Sequence, residues 1–185
     1  NFALPIDRNG FDRDSSGYQV NAGTDMLLTH LIRGQLFVGY QVENYEAPLK
    51  NVNTFNYGVD FNWYATKLMT VHVSATRAID DTSLPGASAS NDQTVVAGVD
   101  YEVLRDVIVG ADFYYTVSDF IGVKRSDTIP GVALTGKWLI NRYLSLDATY
   151  SYADRSSNAV GQDYSNNVIA VHLTVHQEED GCRVF

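Results

Sequence analysis

Cysteine occurs once in the 185 residues, as Cys182, so no internal disulfide framework can hold the fold and backbone pairing must do it. Long apolar runs are also missing. None approaches the roughly 20 residues that a membrane-spanning helix needs, although 45% of the residues are apolar and mean hydropathy is -0.15. That excludes helical spans within this sequence and leaves strand spans open, because a β-barrel hides its membrane character in alternation. No segment keeps a helical period over the length a helix requires. Basic residues are outnumbered, 13 against 22 acids for a formal net charge of -9. They are scattered as well, which excludes the footprint of a nucleic-acid-binding protein.

What the chain has in abundance is strict alternation of apolar and polar residues. The clearest stretch is 55–63, where Phe55, Tyr57, Val59, Phe61 and Trp63 take one side and Asn56, Gly58, Asp60 and Asn62 the other. A period of two is a β-strand with two chemically distinct faces. The pattern returns at 18–26, 36–43, 71–76, 95–103, 107–118, 132–138, 144–152 and 169–176, which predicts nine strands. Four strands carry a glycine and an aspartate two residues apart on the polar side: Gly23 and Asp25, Gly58 and Asp60, Gly98 and Asp100, Gly110 and Asp112. In a soluble sandwich the apolar face would meet a second sheet. In a membrane barrel it meets lipid, and the polar face lines the interior.

Segments between the strands decide between these. Short ones at 29–33, 64–68, 104–106 and 139–142 alternate without exception with longer polar ones at 46–53, 80–92, 119–127 and 154–163. Short turns on one rim and long loops on the other are the plan of an outer-membrane barrel. Trp63, Tyr64, Tyr101, Trp138 and Tyr143 cluster beside the short turns and are expected to form an aromatic girdle at the membrane interface, with further tyrosines near the loop side. A soluble lipocalin-like barrel would need an apolar interior, and the Asp and Asn side contradicts it. Arg77 falls on the apolar side of its strand. It must either snorkel to the head groups or be turned inward by a bulge at 75–76.

Domain organisation follows: a barrel over 1–176 and a tail at 177–185 that leaves the alternating pattern. No charged-then-apolar leader opens the chain, and Asn1 reads as lying in a loop. Nine is odd, whereas bacterial single-chain barrels have an even number of strands. Either 2–6 supplies a short tenth strand, or the chain is the C-terminal part of a larger barrel lacking its N-terminal strands. The second expectation is preferred, because 7–16 reads as the end of a long outer loop.

The sequence style resembles a known family. Arg13-Asp14-Ser15, Arg125-Ser126-Asp127, the glycine–aspartate strands and the turn region 139–147 (LINRYLSLD) are similar to the beta-barrel porin 2 family of Gram-negative bacteria, over roughly 13–176. The resemblance implies an outer-membrane location, porin-like architecture and, in many members, a host that exports surface polysaccharide, without an assigned substrate. The chain departs from that pattern at 177–185. Phe185 resembles the terminal aromatic of barrel-assembly signals, but Gly181 and Cys182 break the alternation before it.

Function is then read from the polar side. Asp25, Glu43, Asp60, Asp100, Glu102, Asp112 and Asp147 are expected to line the interior, against Lys137 and the histidines His72, His172 and His176. An acidic, hydrated lumen favours cations. The expected function is passive, weakly cation-preferring passage of small hydrophilic solutes. The alternative is a non-conducting structural barrel, or a component of a surface-polysaccharide export system. Ordinary solvated lumen carboxylates without selectivity are the plainer reading of the same residues. Catalysis is not expected, because no histidine pair has local spacing for a dyad or metal site: His172 and His176 stand about 13 Å apart along a strand, and His72 is on a distant one. No metal or cofactor is expected. Oxygen-rich loop stretches at 80–83 and 154–157 suit hard cations but read first as solvated loops. Lys124 and Arg125 are a basic pair suited to anionic lipid phosphates. Expected partners are outer-membrane lipid, lipopolysaccharide and small solutes, with a homo-oligomer or export proteins as further candidates.

Overall fold

Nine antiparallel strands make up most of a computed structural model that describes residues 15–45, 49–82 and 84–175. They are β1 (Ser15–Thr29), β2 (Ile32–Tyr45), β3 (Val52–Tyr64), β4 (Met69–Asp81), β5 (Ala89–Leu104), β6 (Val107–Ile121), β7 (Ser126–Asn141), β8 (Leu144–Ser157) and β9 (Tyr164–Val175). Each pairs only with its sequence neighbours, in the order β1 to β9, giving an up-and-down meander with β1 and β9 at the two edges. The sheet is not closed on itself among the described residues. All nine alternating segments are strands, and the short and long connections alternate as the sequence requires. The 2–6 segment, His176 and the 177–185 tail with Cys182 lie outside the described residues.

The strands run longer than their alternation. β7 starts at Ser126, six residues before the apolar pattern does, and β5 starts at Ala89. A strand of 16 residues rises about 3.4 Å per residue and, tilted by about 45°, outreaches an apolar band of about 25 Å. Above that band both faces of the sheet are polar, so alternation disappears while backbone pairing continues. The β7–β8 ladder skips Ile129 and Pro130, while the β6–β7 ladder runs through both. A proline has no N–H to donate to one side.

Register places like with like. Leu36, Val59, Ala75 and Val95 form one row across β2 to β5, and Val73, Ala97, Phe113, Val132 and Tyr152 another across β4 to β8. This apolar face is open: Val20 is 65% exposed and Val171 64%. Among the described residues, buried apolar side chains are confined to the long-loop rim, where Tyr45, Leu49, Val52 and Ala89 pack with Ile79 and Ile121. A sheet with its apolar side bare and no second layer suits lipid as the missing solvent.

The ladders flanking β4 carry no bulge, so Arg77 keeps its place on the apolar face. There it sits opposite Tyr57, at the last β3–β4 pair. Its Nε donates to Asn91 Oδ1 at 2.9 Å and its Nη2 to Thr54 Oγ1 at 3.2 Å. The guanidinium therefore reaches along the strands toward a polar rim, the snorkelling alternative of the two.

Candidate functional site: the polar face of the sheet

The glycine–aspartate spacing gains its meaning from register. In the β5–β6 ladder Gly98 lies opposite Asp112 and Asp100 opposite Gly110, so the two motifs pair reciprocally. Each aspartate has a glycine beside it. A Cβ on Gly98 would collide with the Asp112 carboxylate and the His72 ring, and one on Gly110 with Thr135 and Asp100. The missing side chains let neighbours from the flanking strands lean over β5 and β6. At the β1 end of the same face, Gly23 and Gly58 flank Phe37 across β1, β2 and β3, while Asp25 and Asp60 flank Gln35. The Phe37 ring lies over Gly58.

The window at Gly98 admits a close polar contact between strands that are not neighbours. His72 on β4 reaches across β5 to Asp112 on β6, Nε2 to Oδ1 at 2.6 Å, and its Nδ1 lies 3.5 Å from Asp100 Oδ2. One imidazole thus stands between two carboxylates. Sequence spacing alone did not pair His72 with either, since the contact spans 40 residues. The available signal was the double glycine–aspartate motif itself, which needs a turn length to set its register.

All eight residues expected to line an interior fall on this one face. Gln35 separates Asp25 from Asp60, whose carboxylate accepts a hydrogen bond from Asn62 at 2.6 Å. Glu43 accepts from Ser15 and Gln41. Lys137 lies opposite Asp147 in the β7–β8 ladder with Nζ 3.8 Å from Oδ1, and Asp147 is opposite His172 in turn. A cavity of about 360 Å³ at the short-turn end is bordered by Asp25, Arg33, Gln35, Asp60, Asn62 and Tyr64. A neighbouring one of about 420 Å³ is bordered by Tyr64, Thr70, Asp100, Glu102 and Lys137, among others. Among the described residues, no three His, Cys, Asp or Glu side chains are arranged to hold a metal ion.

Of the five aromatics beside the short turns, Trp63, Tyr101 and Trp138 alternate onto the apolar face and Tyr143 sits in the turn after β7. Trp138 donates its Nε1–H to Asp106 Oδ2 at 3.1 Å, keeping its polar edge toward the turn. Tyr64 differs: alternation places it on the polar face, beneath the Arg33 guanidinium at 5.5 Å, between the two cavities.

The long-loop rim holds a cluster that the sequence reading missed. Asp127, at the loop end of β7 and above the apolar band, is fully buried. Arg125 grips its carboxylate in a fork, with Nε 3.1 Å from each oxygen and Nη2 2.9 Å from Oδ2, and Arg155 of β8 donates to the same oxygen. Burial pushes the Asp127 pKa up, but the hydrogen bonds from Arg125 and Arg155 outweigh it and hold the group at about 2. Arg125 also stacks on Phe120, and Arg155 on Tyr164. Arg125 is therefore spent on Asp127 rather than presented to lipid phosphates, and 154–157 belongs to β8 rather than to a solvated loop.

The sequence matches the family described as "Putative beta-barrel porin 2" over residues 1–177. No curated protein matches it. Among solved structures it is similar to in-vitro folded OmpT, an outer membrane protein of Vibrio cholerae in its trimer form. That likeness has a TM-score of 0.58 at 12% identity and covers 92% of this chain and 52% of that one. A loop L8 deletion mutant of the Vibrio cholerae OmpT gives a TM-score of 0.57 at 14% identity, covering 92% and 55%. At such identities the likeness is one of fold, that of an outer-membrane β-barrel. The chain spans about half the length of these solved structures.

Proposed function

Because the chain belongs to the Putative beta-barrel porin 2 family, whose place is the bacterial outer membrane, we propose that it is a wall of a water-filled pore giving small hydrophilic solutes passive passage, with a weak preference for cations. One observation carries this reading. Asp25, Glu43, Asp60, Asp100, Glu102, Asp112 and Asp147 share one face, and the only lysine among these rows is Lys137. Among the described residues no lysine or arginine forms an ion pair with Asp25, Glu43, Asp60 or Glu102. Uncompensated carboxylates in a dry, filled interior would cost several kcal/mol each. Water is the natural partner for them, and a wall of hydrated carboxylates favours cations over anions.

The strands of the open sheet are part of a larger closed barrel in this reading, since a spanning sheet cannot leave its edges bare in hydrocarbon. The unpaired outer edges of β1 and β9 and the half-length match to larger barrels support it. A barrel of about 16 strands leaves an aqueous channel, whereas about eight would be filled by side chains. The non-conducting or export-associated alternative belongs to the narrow case. No catalytic role is assigned to the face, and lipid and lipopolysaccharide are the partners of the apolar side.

The experiment is single-channel recording of the refolded protein in planar bilayers under a KCl gradient. Steady current with a cation-selective reversal potential is the expected outcome. Silence from protein shown to be folded would replace the pore by the structural or export-partner barrel.

A further inference from the structure

Beyond lining the pore, one residue is placed to set its ion preference. We propose that His72, held between Asp100 and Asp112, is a proton-controlled specificity residue: cation preference is low while its ring is protonated and rises when it loses the proton.

The geometry points both ring nitrogens at carboxylates, Nε2 at Asp112 Oδ1 (2.6 Å) and Nδ1 at Asp100 Oδ2 (3.5 Å). A neutral imidazole has one N–H and one bare lone pair, so it can satisfy one of these carboxylates and must present a lone pair to the other. Only the imidazolium donates to both. Protonated, the ring cancels one of the two charges beside it and ties up both carboxylates as hydrogen-bond acceptors. Deprotonated, it releases one carboxylate to the passage and returns a full negative charge to the wall. Imidazole is the side chain whose charge ordinarily changes between pH 5 and 8.

The seat is shaped for this contact. Gly98, opposite His72 on β5, is what allows the ring and Asp112 to meet, because any Cβ there would occupy the same space. The ring and the two carboxylates are part-exposed, with side-chain exposures of 25% for His72, 25% for Asp112 and 47% for Asp100, so protons and ions can reach them. The other groups facing the ring are few. From β3 come Asn62, directly opposite, and Asp60 two residues along. Glu102 of β5 and Lys137 of β7 border the adjoining cavity with Asp100. No cation among these replaces the ring as the partner of Asp112.

The inference rests on the pore reading, and its test separates the two. Reversal potentials in a KCl gradient are measured at pH 5 and pH 8 for the wild-type barrel, His72→Gln and His172→Gln, each shown folded by its heat-modifiable migration. Histidine 172 lies opposite Asp147 and is the other described histidine on this face. In wild type the reversal potential shifts toward the cation limit as pH rises. His72→Gln, permanently neutral, holds the high-pH value at both, and His172→Gln keeps the shift. A conducting wild type with no shift, or a His72→Gln protein that shifts as wild type does, overturns the role of His72 and leaves the pore intact. A wild type silent at both pH values overturns the pore, and this proposal with it.

Discussion

At the scale of single residues, the buried charge that matters most for integrity is Asp127. Two guanidinium groups converge on one carboxylate with no exposure of its own. Removing the carboxylate's charge leaves both arginines without a counter-charge in a confined place, which for a broken buried pair costs about 3 kcal/mol or more. Asp127→Asn should therefore lower the urea midpoint of the folded barrel, measured by tryptophan fluorescence, whereas Asp163→Asn on the same rim should change it little. An equal midpoint for Asp127→Asn and wild type would make the cluster ornamental. The sign of the pH dependence follows from a carboxyl held at about 2 against an ordinary 3.8. Its stabilisation is complete above the higher value and is lost as pH falls through the lower one, so the difference between wild type and Asp127→Asn should vanish as pH falls from about 4 to 2.

At the scale of a strand, the two faces should respond in opposite ways to an introduced charge. Val59 sits in the middle of β3 on the apolar row with Leu36 and Ala75, while Asn62 lies three residues on, on the opposite face, beside Gln35's neighbour Asp60. Arginine at a lipid-facing mid-membrane position costs about 2–4 kcal/mol. Val59→Arg should show that loss in equilibrium unfolding, and Asn62→Arg, beside carboxylates, should not. Equal tolerance at both sites would reverse the faces. The three register shifts in the sheet, at 27–29, 102–104 and 139–141, all fall beside two-residue connections. A bulge next to a tight turn adjusts strand twist so that the hairpin closes. Among the described residues positive φ is confined to Gly86, Gly122 and Gly161, all in long connections, where only glycine takes that conformation at no steric cost.

At the scale of the whole molecule, charge on the polar face should act collectively. Neutralising Asp60, Asp100 and Asp112 together as Asn removes carboxylates from three strands, β3, β5 and β6, and should move the reversal potential of a conducting barrel toward zero. An unchanged potential would take these residues out of ion selection and leave the long loops to set it. The same variant should fold normally, since polar-face substitutions tune a barrel's selectivity rather than its insertion.

What the sequence by itself determined is everything that depends on a period of two. Strand number, their antiparallel succession, the chemistry of the two faces and the asymmetry of the rims were all legible, because alternation is a local property and lipid requires it of every membrane-crossing strand. Alternation also explains where legibility stopped. Above the apolar band nothing distinguishes the two faces, so residues 126–127 and 154–157 read as loop although they pair in the sheet. The partners of His72 and of Asp127 were decided only by tertiary structure. Which residue stands opposite which depends on turn lengths and bulges accumulated over several hairpins, and a one-residue slip would send His72 to the lipid side. Contacts that reach over a glycine to a second strand, as from His72 to Asp112, depend on two such registers at once.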